Sequence, residues 1–188
     1  GVISENRYAA IGAAGHDIVA CIDAGFLAEH EWLEKITAPL SLGEDWVSGF
    51  YVPRGANLRS TCAGMVLMSV REEINPDHMT PPGASQAFRK KLWHRVGGFP
   101  EGMAAAEDTL FGERAKAAGF EPYFEGDALI QWRPPEGLWA MVRKAFAWGR
   151  GDGRAGLRGG AYTRILIGYW GSVFAAVLAA FIDWWLIP

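Results

Sequence analysis

Cysteine and histidine are scarce in this chain. Two cysteines, Cys21 and Cys62, among 188 residues are too few for a Cys-based zinc site and fit a reducing compartment. The four histidines, His16, His30, His78 and His94, show no metal-ligand spacing and read as surface or loop residues. An excess of basic charge is missing too. The formal net charge is −3, so a nucleic-acid partner is not expected. There is no internal repeat, no low-complexity tract, no glycine-rich phosphate loop and no Gly-x-Ser-x-Gly elbow. No charged segment followed by an apolar one marks the start at Gly1 as a signal peptide. The expectation is a fragment whose N-terminal part is missing.

Hydrophobic residues are plentiful, at 50% of the chain. Five of the nine tryptophans, Trp139, Trp148, Trp170, Trp184 and Trp185, fall in the last fifty residues, as in segments close to a membrane interface. Ile165–Ile182 is a run of 18 residues without a charge, with Tyr169–Trp170 and Trp184–Trp185 placed to sit near the two interfaces. With its flanks it approaches the length that crosses a bilayer core about 30 Å thick. A buried core helix is the competing reading. Arg143, Lys144, Arg150, Arg154, Arg158 and Arg164 precede the run against one acid, Asp152. By the positive-inside rule the soluble part faces the cytoplasm from an inner or plasma membrane, with lipid as a partner. Residues 137–149 are amphipathic, basic on one side and aromatic on the other, as interfacial helices are.

Upstream, helices alternate with strands, which indicates an α/β sandwich. Helices are expected over 4–14, with Ser4 as N-cap, and over 29–40, with Trp32, Leu33 and Ile36 on one face and Pro39 as the stop. Further helices are expected over 56–70, 89–98 and 105–118, and strands over 17–22, 45–52, 85–88 and 127–132. Three regions follow: a domain over 1–135, an amphipathic helix with a Gly/Arg-rich linker over 136–160, and a transmembrane segment over 161–188.

Two places carry chemistry. In DIVACIDAGF the unbroken apolar run Ile18–Ile22 suits a parallel strand covered on both faces, and it stops on Asp23. A carboxylate at the carboxyl end of such a strand reaches a cleft without full burial, and the small Ala24 and Gly25 leave room for a phosphate ligand and its metal. A turn-forming Asp is the plainer reading. In VGGFPEGMAAAEDTLFGERAKAAGF, Glu107 and Asp108 open a helix behind a loop of Gly97, Gly98, Gly102 and Ala104–Ala106. Acids there are what helix capping favours. A carboxylate facing a cleft from that position can also take a proton from a hydroxyl. Arg54, Arg59 and Arg71 face either phosphate or solvent. Arg150, Asp152 and Arg154, among Gly149, Gly151 and Gly153, read equally as a mobile lid or a polar linker.

Taken together, ENRYAAIGAAGHDIVACIDAGF, SQAFRKKLWHRVGGFPEGMAAAEDTLFGERAKAAGF and AFAWGRGDG resemble the family 2 glycosyltransferases over residues 1–155. The resemblance implies a GT-A fold, an α/β/α sandwich incomplete at its N-terminus. It also implies a nucleotide-sugar donor (UDP-, GDP- or dTDP-linked), a divalent metal (Mg or Mn) and transfer to an acceptor hydroxyl. One base serving a single displacement makes inversion the expectation, and the C-terminal apolar segment makes a lipid-linked or cell-envelope saccharide the expected acceptor. Asp23 then matches the first acid of the Asp-x-Asp motif and contacts donor diphosphate or metal. Asp108 matches the general base, with Glu107 beside it. Arg7, Ala24, Gly25, Gly97, Gly98, Phe99, Arg150 and Arg154 fall among donor- or substrate-binding positions. The second acid of the motif is Gly25 here, and Trp132 stands where many members carry a metal-binding His. No Gln-x-x-Arg-Trp motif of processive synthases is present. The isolated fragment is expected to be inactive, and a non-catalytic, membrane-anchored scaffold with this fold is the other reading. A small membrane protein of unrelated fold, in which the acid pair only caps a helix, is a third.

Overall fold

A computed structural model describes residues 3–68, 71–75, 79–103 and 105–186; His78 and Ala104 lie outside these. The chain divides into two compact units, Gly1–Gly151 and Asp152–Pro188.

The first unit is a mixed α/β structure around one five-stranded sheet. Its strands are β1 (Ile18–Ile22), β2 (Phe26–Ala28), β3 (Trp46–Pro53), β4 (Ser85–Arg89) and β5 (Tyr123–Trp132), in spatial order β1-β4-β3-β5-β2. Only β3 and β5 pair in parallel; β1–β4, β4–β3 and β5–β2 are antiparallel. The expectation of a parallel strand at Ile18–Ile22 is therefore corrected: β1 is an edge strand antiparallel to β4. The unbroken apolar run has another cause. Val19 and Cys21 pack against the core on one face of the sheet, and Ile18 and Ala20 against the core on the other. Cover on both faces makes both sides of the strand apolar, whatever its direction.

One face is covered by α1 (Ile3–Ala13), α4 (Lys90–Arg95) and α5 (Glu107–Ala117), whose Ile11, Leu92, Trp93, Phe111 and Ala115 meet Trp46 and Phe88 of the sheet. The other is covered by α2 (Trp32–Ser41), whose Trp32, Ile36 and Leu40 meet Val47, Ala87 and Ile130. The buried stripe of α2 follows i, i+4, i+8, so Leu33 is exposed and not on the inner face as expected. Pro39 does not stop α2; it lies buried in the last turn, and the helix continues to Ser41. Ser4 lies inside α1, and its hydroxyl accepts from the Met103 amide at 3.2 Å instead of capping the helix.

β3 lies between two partners. Trp46–Ser48 pairs with β4 on one side, and Val47–Ser48 and Phe50–Pro53 pair with β5 on the other. The register slips at Gly49, where a Cβ would lie 2.3 Å from Ser85 Oγ and 2.7 Å from the Ala128 carbonyl oxygen, so only glycine fits. A third helix of this unit, α3 (Leu58–Val66), follows β3 and opens with a capping box between Asn57 and Ser60.

After β5 comes α6 (Leu138–Arg154). It runs as one helix through Gly149, Gly151 and Gly153, in place of the expected mobile lid or polar linker. Packing explains this for Gly151, where a Cβ would lie 2.8 Å from that of Ala105. In the second unit, α7 (Gly159–Leu186) contains Gly159–Ala180, 22 residues of which an 18-residue window has mean hydropathy 1.4 with none buried. At about 1.5 Å per residue this stretch is ~33 Å long, enough to cross a bilayer. Within this unit the Asp152 carboxylate accepts from the Tyr162 hydroxyl at 2.7 Å and lies 3.5 Å from Arg158 Nη1.

Candidate active site

Three segments far apart in sequence meet at the carboxyl end of β1. Asp23 is the first residue beyond that strand, and Gly25, in the left-handed region at φ +90°, turns the chain into β2. Glu107 and Asp108 are the first two residues of α5. Arg7 comes from the middle of α1 and lies between them. Its Nη1 donates to Glu107 Oε1 at 2.8 Å, and its Nη2 donates to Asp23 Oδ1. One planar guanidinium fork thus ties the strand end to the helix start, which a lysine's single ammonium could not do with the same geometry.

The surroundings fix Arg7 tightly. Its guanidinium lies over the Phe99 ring, 5.3 Å from the centroid. Phe99 is itself buried and stacks on Phe111 at 4.4 Å. Gly98, at φ +76°, passes under Tyr8, where a Cβ would come within 2.9 Å of the ring. The GGF turn is thus the floor beneath α1, with Gly97 opening to free space. Burial opposes the charge on Arg7, but Asp23, Glu107 and Asp108 outweigh it and raise its pKa above the ordinary value.

The two acids of α5 differ in setting. Glu107 is buried; burial first, then the neighbouring Asp108, raises its carboxyl above the ordinary range despite Arg7. Asp108 is half-buried, and both its oxygens are held by backbone: Oδ2 accepts from the Gly83 amide at 2.8 Å, and Oδ1 from the Thr109 amide at 2.8 Å. A carboxylate has about four lone-pair positions, so Asp108 retains acceptor capacity for a further hydroxyl. Glu107 is committed to Arg7, whereas Asp108 keeps a free acceptor position. Ala106, just before them, is left-handed at φ 63°, a costly conformation for a residue with a Cβ.

Gly83 was not legible in the sequence as part of this cluster. A Cβ there would meet Arg7 Nη1 at 2.2 Å, so the residue is glycine because the guanidinium occupies the space. The only sequence hint is its place at the end of the breaker-rich NPDHMTPPG loop. Cys21 lies mid-strand nearby, and burial pushes its thiol up to about 11, which suits a core residue and not a nucleophile.

Ala24 and Gly25 are exposed, and Gly25 borders an open cleft of about 760 Å³. Arg54 and Gly55 from the end of β3, and Trp132 and Arg133 from the end of β5, line it as well. Trp132 is buried, its ring 6.3 Å from that of Trp148, with Lys144 Nζ over both. Arg59 is exposed away from the cleft lining, and Arg71 pairs with Asp127 at 2.8 Å. Arg150 is exposed on α6, and Arg154 is exposed in the second unit.

A divalent cation fits these residues poorly. Among the described residues no three His, Cys, Asp or Glu side chains are grouped to hold one. Asp23, the carboxylate best placed, carries the Arg7 cation on one oxygen.

No protein-family model matches the chain, and no curated protein matches it. Among solved structures it is similar to the mannosyltransferase PcManGT from Pyrobaculum calidifontis in complex with GDP-Man and Mn2+. Identity is 20% and the TM-score 0.49, over 71% of this chain and 36% of that one. The chain therefore spans little more than a third of that protein's length.

Proposed function

We propose that this chain belongs to an inverting glycosyltransferase, with a GT-A fold of the family 2 type, that works at the cytoplasmic face of a membrane. The observation that carries the reading is the convergence of Arg7, Asp23, Glu107 and Asp108 at the carboxyl end of β1, two residues before Gly25, which borders an open cleft at the carboxyl ends of β3 and β5. Ligands of open α/β sheets bind at such ends. Asp108 accepts the proton of the acceptor hydroxyl as that oxygen attacks the anomeric carbon, and the nucleoside diphosphate leaves from the opposite side. A single displacement with one base inverts the anomeric centre. Arg7 and Glu107 position: they hold Asp23 and the start of α5 in register. Asp23 orients the donor through hydrogen bonds, with Ala24 and Gly25 giving it room. A bound divalent ion would screen the leaving diphosphate, but no step here is routed through one.

Anchoring follows from α7, whose apolar stretch is long enough to span a bilayer, and from the arginines and lysine before it. A site tethered to the bilayer suits a lipid-linked or envelope saccharide as acceptor.

The test uses protein expressed from its complete coding region in native membranes. GDP-mannose with Mn2+ is supplied first, then UDP- and dTDP-sugars. The anomeric configuration of the product is read by NMR. Inversion is expected; retention would remove Asp108 as the base of a single displacement. The scaffold reading predicts no turnover and no donor binding at all.

A further inference from the structure

We infer that the cleft bordered by Gly25, Arg54, Trp132 and Arg133 is a diphosphate site whose countercharge comes from guanidinium groups of this chain. The inference rests on the glycosyltransferase reading for its biological meaning, but its physical basis is separate. Arg54 follows the last residue of β3, and Arg133 follows the last residue of β5. Because β3 and β5 are parallel neighbours, their register puts Pro53 opposite Trp132, so the two arginines leave the sheet side by side. The Arg54 amide donates to the Trp132 carbonyl oxygen at 2.7 Å, which fixes the two strand ends together. Arg54 Nη1 donates to Gln131 Oε1 at 2.8 Å, and Gln131 in turn donates to Glu29. Both guanidiniums are exposed and border the cleft. Glu136 is the one acid in the lining, which leaves a surplus of one positive charge there.

Two further features point to a phosphate-bearing ligand. Ala56 of the lining stands directly before Asn57, the N-cap of α3, so the positive end of a nine-residue helix lies beside the cleft. The remaining wall is apolar: Phe26, Leu27, Ala56 and Trp132. A diphosphate carrying a base or a prenyl chain satisfies both halves of such a lining, whereas a neutral saccharide would leave the cations unused. The cluster beside it offers no substitute, since Arg7 is already shared by two carboxylates.

The test is calorimetric titration of the full chain in detergent with inorganic pyrophosphate, GDP, UDP and geranyl diphosphate, each in EDTA and again in Mn2+. Binding in EDTA is expected, weakened at least about tenfold by R54Q or R133Q and partly restored by R54K. Tighter binding of GDP or UDP than of geranyl diphosphate assigns the site to the donor, and the reverse order to a lipid diphosphate. Both arginines are exposed, so the variants should fold, which unchanged urea midpoints would verify. Binding that requires Mn2+, binding indifferent to both substitutions, or no binding of any probe would overturn the inference. The two readings fail separately. Transfer activity in a chain that binds no diphosphate probe in an arginine-dependent way removes the anion site alone. Arginine-dependent pyrophosphate binding without any sugar transfer removes the enzyme reading alone.

Discussion

Replacing Arg7 by methionine should be among the most damaging single changes in the first unit. The substitution keeps much of the apolar stem and deletes both ion pairs. Glu107 is 7% exposed and Arg7 12%, so their pair belongs to the buried class, where removing one partner costs about 3–5 kcal/mol. Asp23 is 37% exposed, and solvent screening reduces its share to below about 1 kcal/mol. Relief is available because burial already favours protonation of Glu107 and losing Arg7 removes what opposes it, which puts the expected loss near the lower figure, about 3 kcal/mol. R7K keeps a charge but not the fork, and should lose about 1.5 kcal/mol, one charged hydrogen bond. Urea unfolding of the detergent-solubilised chain, followed by tryptophan fluorescence, measures both. A double-mutant cycle with E107Q and D23N should give a larger coupling for Arg7–Glu107 than for Arg7–Asp23. If R7M lies within 1 kcal/mol of wild type, or if the Asp23 coupling is the larger, Arg7 is not the link described above.

Three other outcomes follow from the same geometry. G83A puts a Cβ 2.2 Å from Arg7 Nη1 and should cost about 1–3 kcal/mol, with a loss in the G83A/R7M double variant well short of the sum; full additivity would contradict the contact. A106G removes a left-handed Cβ and should stabilise by up to about 1 kcal/mol, read as a higher urea midpoint. Glu107 has a raised pKa, so its contribution is complete below the ordinary carboxyl range and declines as pH rises through the folded value. The stability advantage of wild type over E107Q should therefore narrow as pH rises above the ordinary carboxyl range, and a widening gap would reverse the assignment of burial as the dominant cause.

Local patterns revealed much of this fold, because each element announces itself in a few consecutive residues. The acid pair at 107–108 does open a helix, and Asp23 does end a strand, as the apolar run and the following Ala24–Gly25 indicated. Strand direction was not legible. Ile18–Ile22 is apolar on both sides because helices cover both faces of the sheet, and that composition is the same for a parallel and an antiparallel neighbour. β2 escaped notice because three residues are too few to show an alternation. The glycines at 149, 151 and 153 suggested a hinge; a helix tolerates them at about 1 kcal/mol each when packing compensates, as Ala105 does at Gly151. Hardest to foresee was the bridge itself. Arg7 is 16 residues from Asp23 and 100 from Glu107, and nothing within α1 distinguishes it from any surface arginine.

The most direct measurement of the central proposal is single-turnover sugar transfer by the protein from its complete coding region, comparing wild type with D108N. Asparagine keeps the size and one acceptor oxygen, so the contacts to Gly83 and Thr109 are partly preserved while the base is lost. The account predicts a transfer rate lowered by at least about a hundredfold with donor affinity retained. A rate within about threefold of wild type would show that Asp108 only caps α5.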